Sequence, residues 1–458
     1  MDEQPANLKA MREFFDTGAT KSYSFRRLQL QRLKQALIQH ESEISRALYE
    51  DLKKNPEVVH ATETGLLLAE INEALKNLKR WMRPTRAATN LMNLPGSSKI
   101  YHDPLGVVFI IAPWNYPFQL ALIPLVGAIA GGNCAVVKPS ELAPATAAIL
   151  EKIILENFPA HYISIAEGEG SVVVSSIMKS FRFDHVFYTG SIPVGKSIYQ
   201  QAAADLIPVT LELGGKNPAI VEEDANLPIA AKRIVLGKFI NAGQICVAPD
   251  YVLVNENIKD KLIEELKRAI LNFYGESPKE SEEYGKIINE KRFDKILTYL
   301  EEPELVFGGQ SDRSKLFISP SIIKDPSLDS SLMNEEIFGP VLPVVGFRTR
   351  EEAKSIISRH PNPLSLYVFT SNSEKEKYWI EQIPFGGGCV NNAAWQFTNH
   401  FLPFGGIGAS GIGAYHGKHS FEIFTHAKPV LKTPVWIDLS LKYPPFSGKM
   451  KWFKRLIR

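Results

Sequence analysis

Cysteine is scarce in this chain: Cys134, Cys246 and Cys389 are the only three in 458 residues. An odd number at wide spacing does not make the framework of a disulfide-stapled secreted domain. No CxxC pair and no cysteine–histidine cluster has zinc-site spacing, so no metal is expected. An excess of one charge is also missing. Lysine and arginine total 52 against 50 acidic residues, a formal net charge of +2, and no basic surface for nucleic acid is indicated. The N-terminus, MDEQPANLKAMREFF, has no apolar core segment, so no secretory leader is expected. Internal repeats and low-complexity tracts are absent. These absences point to a reducing, cytoplasmic setting and to a globular chain long enough for two or three domains.

One long run carries no charge, residues 104–137. It exceeds a membrane span in length, but Pro113, Pro117, Pro124 and the Gly131–Gly132 pair interrupt it. It reads as strand, loop, helix and strand inside an α/β core.

The rest of the chain supports that reading. Residues 1–82 are helical in pattern, with Leu28, Leu30, Leu33, Leu37 and Ile38 at helical spacing and a similar stripe over 66–78 before Trp81. Residues 83–98 lose periodicity. Strand-like runs then follow at 106–112, 134–138, 162–166 and 185–189, with helix-length segments near 117–131, 143–157, 170–179 and 193–204. The alternation predicts a parallel sheet with helices on both faces, a Rossmann-like domain. A second α/β series begins near Leu211, with strands at 219–221, 251–254 and 366–369 and helices near 226–241, 257–273 and 350–358. Glycine-rich segments close it at 385–392 and 402–418.

Cys246 lies in NAGQICVAPD, between Gly243 and Pro249, outside any regular apolar run. A free thiol titrates near about 8.5 and reacts as the thiolate. Its alternative is a small packing residue, the reading that suits Cys134 in CAVV. Glu212, in VTLELGGKNP, is a carboxylate between two leucines. It is either a desolvated base whose affinity for protons is raised, or the partner of a lysine such as Lys216 or Lys138. Asn115, in APWNYP, sits in a loop stiffened by two prolines. A rigid amide there is either a turn residue or a donor to a developing oxyanion, worth about 3–4 kcal/mol. A thiol, a base and an oxyanion donor are the parts of covalent acyl chemistry.

The segment between the fourth strand-like run and its helix does not match the GxGxxG fingerprint of dinucleotide binding. TGSIPVGK still places Gly190 and Ser191 between a strand and a helix, where a helix N-terminus can take phosphate. Lys138 and Glu141, in VVKPSEL, end another strand at the same edge. They suit ribose hydroxyls, or simply a solvated pair at a helix start.

APWNYP, VVKPSE, YTGSIPVG, LELGGKNP, NAGQIC, NEEIFGPV and LPFGGIGASG occur in this order. The set resembles the aldehyde dehydrogenase superfamily over roughly residues 5–430. GQICVAPDYVL and GAYHGKHSFEIFTH are most similar to its class 3 and fatty aldehyde dehydrogenase branch. The resemblance implies a Rossmann-like cofactor domain (1–82 and 102–210), an α/β catalytic domain (211–399) and a small β oligomerisation arm (83–101 and 400–435). It implies Cys246 as nucleophile, Glu212 as base, and Asn115 with the Cys246 N–H as oxyanion hole. Lys138 and Glu141 would bind the adenosine ribose, Gly190 and Ser191 the pyrophosphate, and Glu336 the nicotinamide ribose. Phe338 would pack near the ring and Trp114 would line the cavity. The choice of Glu336 over Glu335 rests on the motif alone.

The reaction so implied is oxidation of an aldehyde, medium- or long-chain aliphatic or aromatic, to a carboxylic acid through a thioester on Cys246. Glu141 favours NAD by accepting from the ribose 2′-hydroxyl, with NADP also used. Release of the thioester to coenzyme A, or a thiol esterase with no cofactor, are the alternatives. Branch members are typically homodimers. The last residues, KMKWFKRLIR, combine Met450, Phe453 and Ile457 at helical spacing with Lys449, Lys451, Lys454, Arg455 and Arg458. The basic amphipathic tail 436–458 therefore either lies on an anionic membrane face or packs on protein.

Overall fold

The computed structural model describes residues 3–457. Four helices open the chain, at Glu3–Asp16, Tyr23–Gln39, Glu41–Leu52 and Gly65–Trp81. In the second, Leu30, Leu33 and Leu37 are buried, while Leu28 and Ile38 face solvent, so the apolar stripe is narrower than the sequence pattern. Ser22 caps this helix by accepting from the Phe25 N–H at 3.2 Å. Between the third and fourth helices, Asn55 caps a short helix at Pro56–Val59. A π turn, His60–Thr64, follows and brings Glu63 inside the protein.

The uncharged run forms strand Val107–Ile111, helix Gln119–Gly131 and strand Cys134–Lys138. Every residue of that helix is buried, which explains its lack of a polar face. Among the described residues, no helix is long and apolar enough to cross a membrane. The two strands belong to a six-stranded sheet, ordered 411–412, 209–213, 185–190, 107–111, 134–138, 163–165. All its pairings are parallel except the first, in which Gly411 faces Glu212 and Ile412 faces Leu211.

A seven-stranded sheet forms the second half, ordered 305–307, 321–324, 341–347, 251–255, 218–221, 365–369, 387–390. It is parallel apart from its 305–307 edge. Four of these strands are not among those read from the sequence, the three-residue edge strand Leu305–Phe307 included. Val341–Phe347 carries Pro343 and Gly346 in a central position, and Gly387–Val390 begins on two glycines, so both lack the usual strand signature. Ser321–Lys324 is too short to stand out.

The expected β arm exists as a three-stranded antiparallel sheet of Thr85–Ala87, Ser97–Pro104 and Thr425–Lys432. Residues 102–104 belong to it, whereas residues 400–424 fold on the six-stranded sheet. The reason is burial: Tyr415, Phe421 and Phe424 pack into the core there, with Tyr415 edge-on to Phe187 at 5.0 Å. The tail ends in a short helix, Met450–Leu456, that buries none of its residues. Its one aromatic contact is internal, Phe446 to Phe453 at 5.8 Å. Arg458 lies outside the described residues.

Candidate active site

The carboxyl ends of the central strands open into two adjoining clefts. One, of about 280 Å³, is lined by Trp114, Asn115, Gly190, Ser191, Glu212, Cys246, Glu336 and Phe338. The other, of about 590 Å³, shares Trp114, Gly190 and Ser191 and adds Lys138 and Glu141. Every candidate residue of the sequence reading thus lies in one of two connected spaces.

Cys246 follows a tight turn, Ile240–Gly243, in which Asn241 and Ala242 adopt φ of 53° and 51°. Its carbonyl accepts from Asn217 Nδ2 at 2.7 Å, which fixes the backbone at the cleft wall. The thiol is half-buried, and burial together with Glu212 and Glu336 pushes its pKa up. The other two thiols differ. Cys134 is fully buried in a strand, where burial raises it to about 12, and Cys389 donates to Gln396 Oε1 at 3.2 Å.

Glu212 is buried, and neither carboxylate oxygen has a hydrogen-bond partner among the described residues. The lysine pairing considered from sequence does not occur. Lys216 is bound to Asp250 and to the Leu332 carbonyl, and Lys138 to Glu141 at 2.5 Å. Burial, reinforced by the nearby Glu336, pushes Glu212 up to about 8, against a smaller opposite pull from the Cys246 thiol. A group so placed exchanges protons near neutral pH.

Asn115 is buried, and its carbonyl accepts from Lys54 Nζ at 3.0 Å and Asn241 Nδ2 at 2.9 Å. Its own Nδ2 donates one hydrogen to the Gln244 carbonyl at 3.0 Å. An amide nitrogen carries two hydrogens, so the second is available to an oxygen in the cleft.

Geometry separates the two adjacent acids. Glu335 is exposed and pairs with Lys295 at 2.7 Å. Glu336 turns into the cleft, accepts from the Gly215 N–H at 3.2 Å, and is pushed up to about 7 by burial and Asp250. Phe338 meets Trp114 edge-on at 5.4 Å and holds φ of 44°, a strained value for a bulky residue.

In the second cleft, Ser191 is the N-cap of helix Ile192–Ala204 but makes no side-chain capping bond, which leaves the Ile192 and Val194 N–H groups of the first turn without a side-chain cap, Pro193 having none. Gly190 precedes that cap and lies at the end of its strand. Its φ is not left-handed, but a Cβ there would stand 2.3 Å from the Tyr188 hydroxyl. The uncapped helix start, the Lys138–Glu141 pair and the inward-facing Glu336 fit the pyrophosphate and two riboses of a nicotinamide dinucleotide.

Sequence reasoning missed Arg292, which reaches the first cleft from helix Glu290–Tyr299, donates to the Ile337 carbonyl and stands 6.0 Å over the Phe338 ring. Nothing in NEKRFDKI distinguishes it from a solvent-facing helical arginine. Thr189, Leu120 and Gly214 also line this cleft without a sequence signal of their own.

Comparison with known proteins agrees with this geometry. The model of the aldehyde dehydrogenase family matches residues 2–430. The chain is 44% identical over 447 residues to the 4,4'-diaponeurosporen-aldehyde dehydrogenase of Staphylococcus aureus, covering 97% of each chain. It is 40% identical over 450 residues to aldehyde dehydrogenase family 3 member A2 of Rattus norvegicus, covering 98% of this chain and 93% of that one. Among solved structures, the substrate-bound AldH of Staphylococcus aureus superposes with a TM-score of 0.97 at 44% identity, covering 99% of both chains. The chain therefore belongs to the aldehyde dehydrogenase family, and its reaction is the NAD(P)-dependent oxidation of an aldehyde.

Proposed function

We propose that Cys246 performs this oxidation by covalent catalysis. The thiol gives up its proton to solvent as its sulfur adds to the aldehyde carbon, and the free Asn115 N–H and the Cys246 N–H hold the oxygen as it becomes negative. The nicotinamide cofactor, when bound, supplies the hydride acceptor. Loss of hydride leaves a thioester on Cys246. Glu212 then takes a proton from water as the water oxygen attacks the thioester carbon; the C–S bond breaks, the carboxylic acid leaves, and Glu212 returns the proton to the sulfur. The observation that carries this reading is an unpaired, buried carboxylate sharing one cleft with the thiol.

Lys138 and Glu141 hold the adenosine ribose, Gly190 and Ser191 the pyrophosphate, and Glu336 the nicotinamide ribose, with Trp114 and Phe338 beside the ring. Among the described residues, Lys138 is the only cation lining the second cleft, and Glu141 engages it. NAD is therefore preferred, and NADP is accepted when Glu141 releases Lys138. The half comprising 1–82, 105–210 and 400–424 carries the cofactor, and 211–399 carries the thiol. Two copies pair through the arm sheet, whose outer strand Thr425–Lys432 is exposed over almost its whole length. The substrate is a medium- or long-chain aliphatic or an aromatic aldehyde, in keeping with the apolar Trp114, Leu120 and Phe338 and with a relative named for 4,4'-diaponeurosporen-aldehyde. The protein is cytoplasmic, and its tail touches the membrane face.

Cys246→Ala tests the core of this scheme. It should abolish aldehyde-dependent NAD(P)H formation while leaving cofactor binding intact; a near-parental rate would overturn it. Product analysis with and without coenzyme A separates hydrolysis from acyl transfer.

A further inference from the structure

We infer that the buried ion pair Lys54–Glu63 positions the Asn115 amide for the oxyanion step, an inference that rests on the role proposed above for Asn115. Lys54 Nζ lies 2.6 Å from Glu63 Oε1, and their side chains are 1% and 0% exposed. Neither residue lines the clefts. The remaining contacts of the ammonium are the Asn115 carbonyl at 3.0 Å and the face of the Tyr116 ring at 3.8 Å. The second oxygen of Glu63 accepts from the Gln119 N–H at 2.8 Å, at the first residue of helix Gln119–Gly131. One ion pair therefore grips both ends of the loop 115–119, by a carbonyl at one end and an N–H at the other.

Stability alone does not account for such a pair. Desolvating two ions costs several kcal/mol each, and apolar residues of similar volume commonly stabilise a core as well or better. What an apolar pair cannot do is bind two backbone groups at fixed positions. The chain of contacts continues toward the thiol: the Asn115 carbonyl also accepts from Asn241 Nδ2, and Asn115 Nδ2 donates to the Gln244 carbonyl, both partners on the segment leading into Cys246. Loop, donor and nucleophile are thus referenced to one buried charge pair.

The backbone is shaped to deliver Glu63 there. It lies in the π turn, and a Cβ at Gly65, where that turn ends, would stand 2.4 Å from the His60 carbonyl. Asn55 anchors the other side by accepting from the Val58 N–H at 2.8 Å. A displacement of the loop by about 1 Å would take the Asn115 N–H out of line with the oxyanion, a misplacement that costs on the order of 100-fold.

The double substitution Lys54→Met with Glu63→Gln removes both charges together, so no lone ion is buried. It should lower kcat/KM for aldehyde by about 30- to 100-fold, with the dissociation constant for NAD unchanged. In an Asn115→Ala background the same pair should lower kcat/KM by less than about threefold, because its effect passes through Asn115. Glu63→Asp, which keeps both charges and draws the pair back by one methylene, is the milder variant should the double one fold poorly. It should cost about tenfold in the parent and almost nothing in the Asn115→Ala background. An equal loss in both backgrounds, or no loss in the parent, would overturn the inference. A parental rate in Asn115→Ala alone would instead remove the oxyanion role on which it rests.

Discussion

Thr189 and Glu212 face each other in direct register across the parallel ladder of the six-stranded sheet, and neither side-chain oxygen has a hydrogen-bond partner among the described residues. Buried polar groups are almost always satisfied. Two unsatisfied neighbours at the wall of one cleft leave polar groups free to meet a bound molecule, as the role proposed for Glu212 requires of water.

Replacing Glu212 by Gln should slow turnover by about 100- to 10,000-fold. The first oxidation should survive, giving a burst of NADH close to one per active site followed by a slow steady state. Rapid-mixing absorbance measures both phases. Loss of the burst along with turnover would assign Glu212 to thiol activation instead.

The pH dependence follows from the same environment. Glu212, raised to about 8, is the active base only when ionised, so the deacylation-limited rate should rise with pH through about 8. Glu336 is one cause of that elevation. In Glu336→Gln the inflection should move to lower pH, and a profile with an unmoved midpoint would count against the coupling.

Glu141→Gln should shift cofactor choice toward NADP. The substitution frees Lys138 and removes a charge that opposes a 2′-phosphate, so the NADP/NAD ratio of kcat/KM should rise by about tenfold or more. Steady-state kinetics with both cofactors at one aldehyde concentration is sufficient.

Glu70 offers a stability test away from the chemistry. It is buried, accepts from the Gly417 N–H at 2.6 Å, and is raised by burial from 4.5 to about 7. The folded form therefore holds a proton that the unfolded chain has already released. The stability it contributes is complete below pH 4.5 and is lost as pH rises through about 7. Glu70→Gln, which has no proton to lose, should gain on the parent over that window by on the order of 3 kcal/mol and then keep a constant lead. Denaturant midpoints at pH 5, 6, 7 and 8 would show it; a lead that grew toward low pH would reverse the sign.

The tail is tested by flotation. Trp436, Phe446, Met450 and Trp452 are exposed beside four cations of the last described residues, Lys449, Lys451, Lys454 and Arg455. The full chain should float with vesicles containing anionic lipid and lose that association in 0.5 M salt, while a form lacking residues 442–458 should not float. Equal flotation by both would eliminate the membrane contact.

Much of the first half was legible because its signals are local. An uncharged run broken by prolines and glycines can only be buried backbone with turns, and the strands and helix at 107–138 match it closely. The site residues were legible as an ordered set of motifs, although local chemistry left each one open. Whether Glu212 pairs with a lysine is a question about Asp250 and Glu141, which occupy Lys216 and Lys138 from elsewhere in the chain. Arg292 and the Lys54–Glu63 pair acquire meaning only from neighbours distant in sequence. The two-residue strand Gly411–Ile412 is shorter than any periodicity that could announce it.

That short strand also has a bearing on how the protein is made. The strand holding Glu212 has Thr189 and its neighbours on one side, but its other edge stays open until residues 411–412 arrive. Because synthesis proceeds from the N-terminus, the ribosome releases most of the chain before that edge is closed. A nascent or truncated polypeptide thus presents a free pairing edge, and its base-bearing strand is incomplete. Completion of the chain is what turns this edge from an aggregation hazard into the wall of a working cleft.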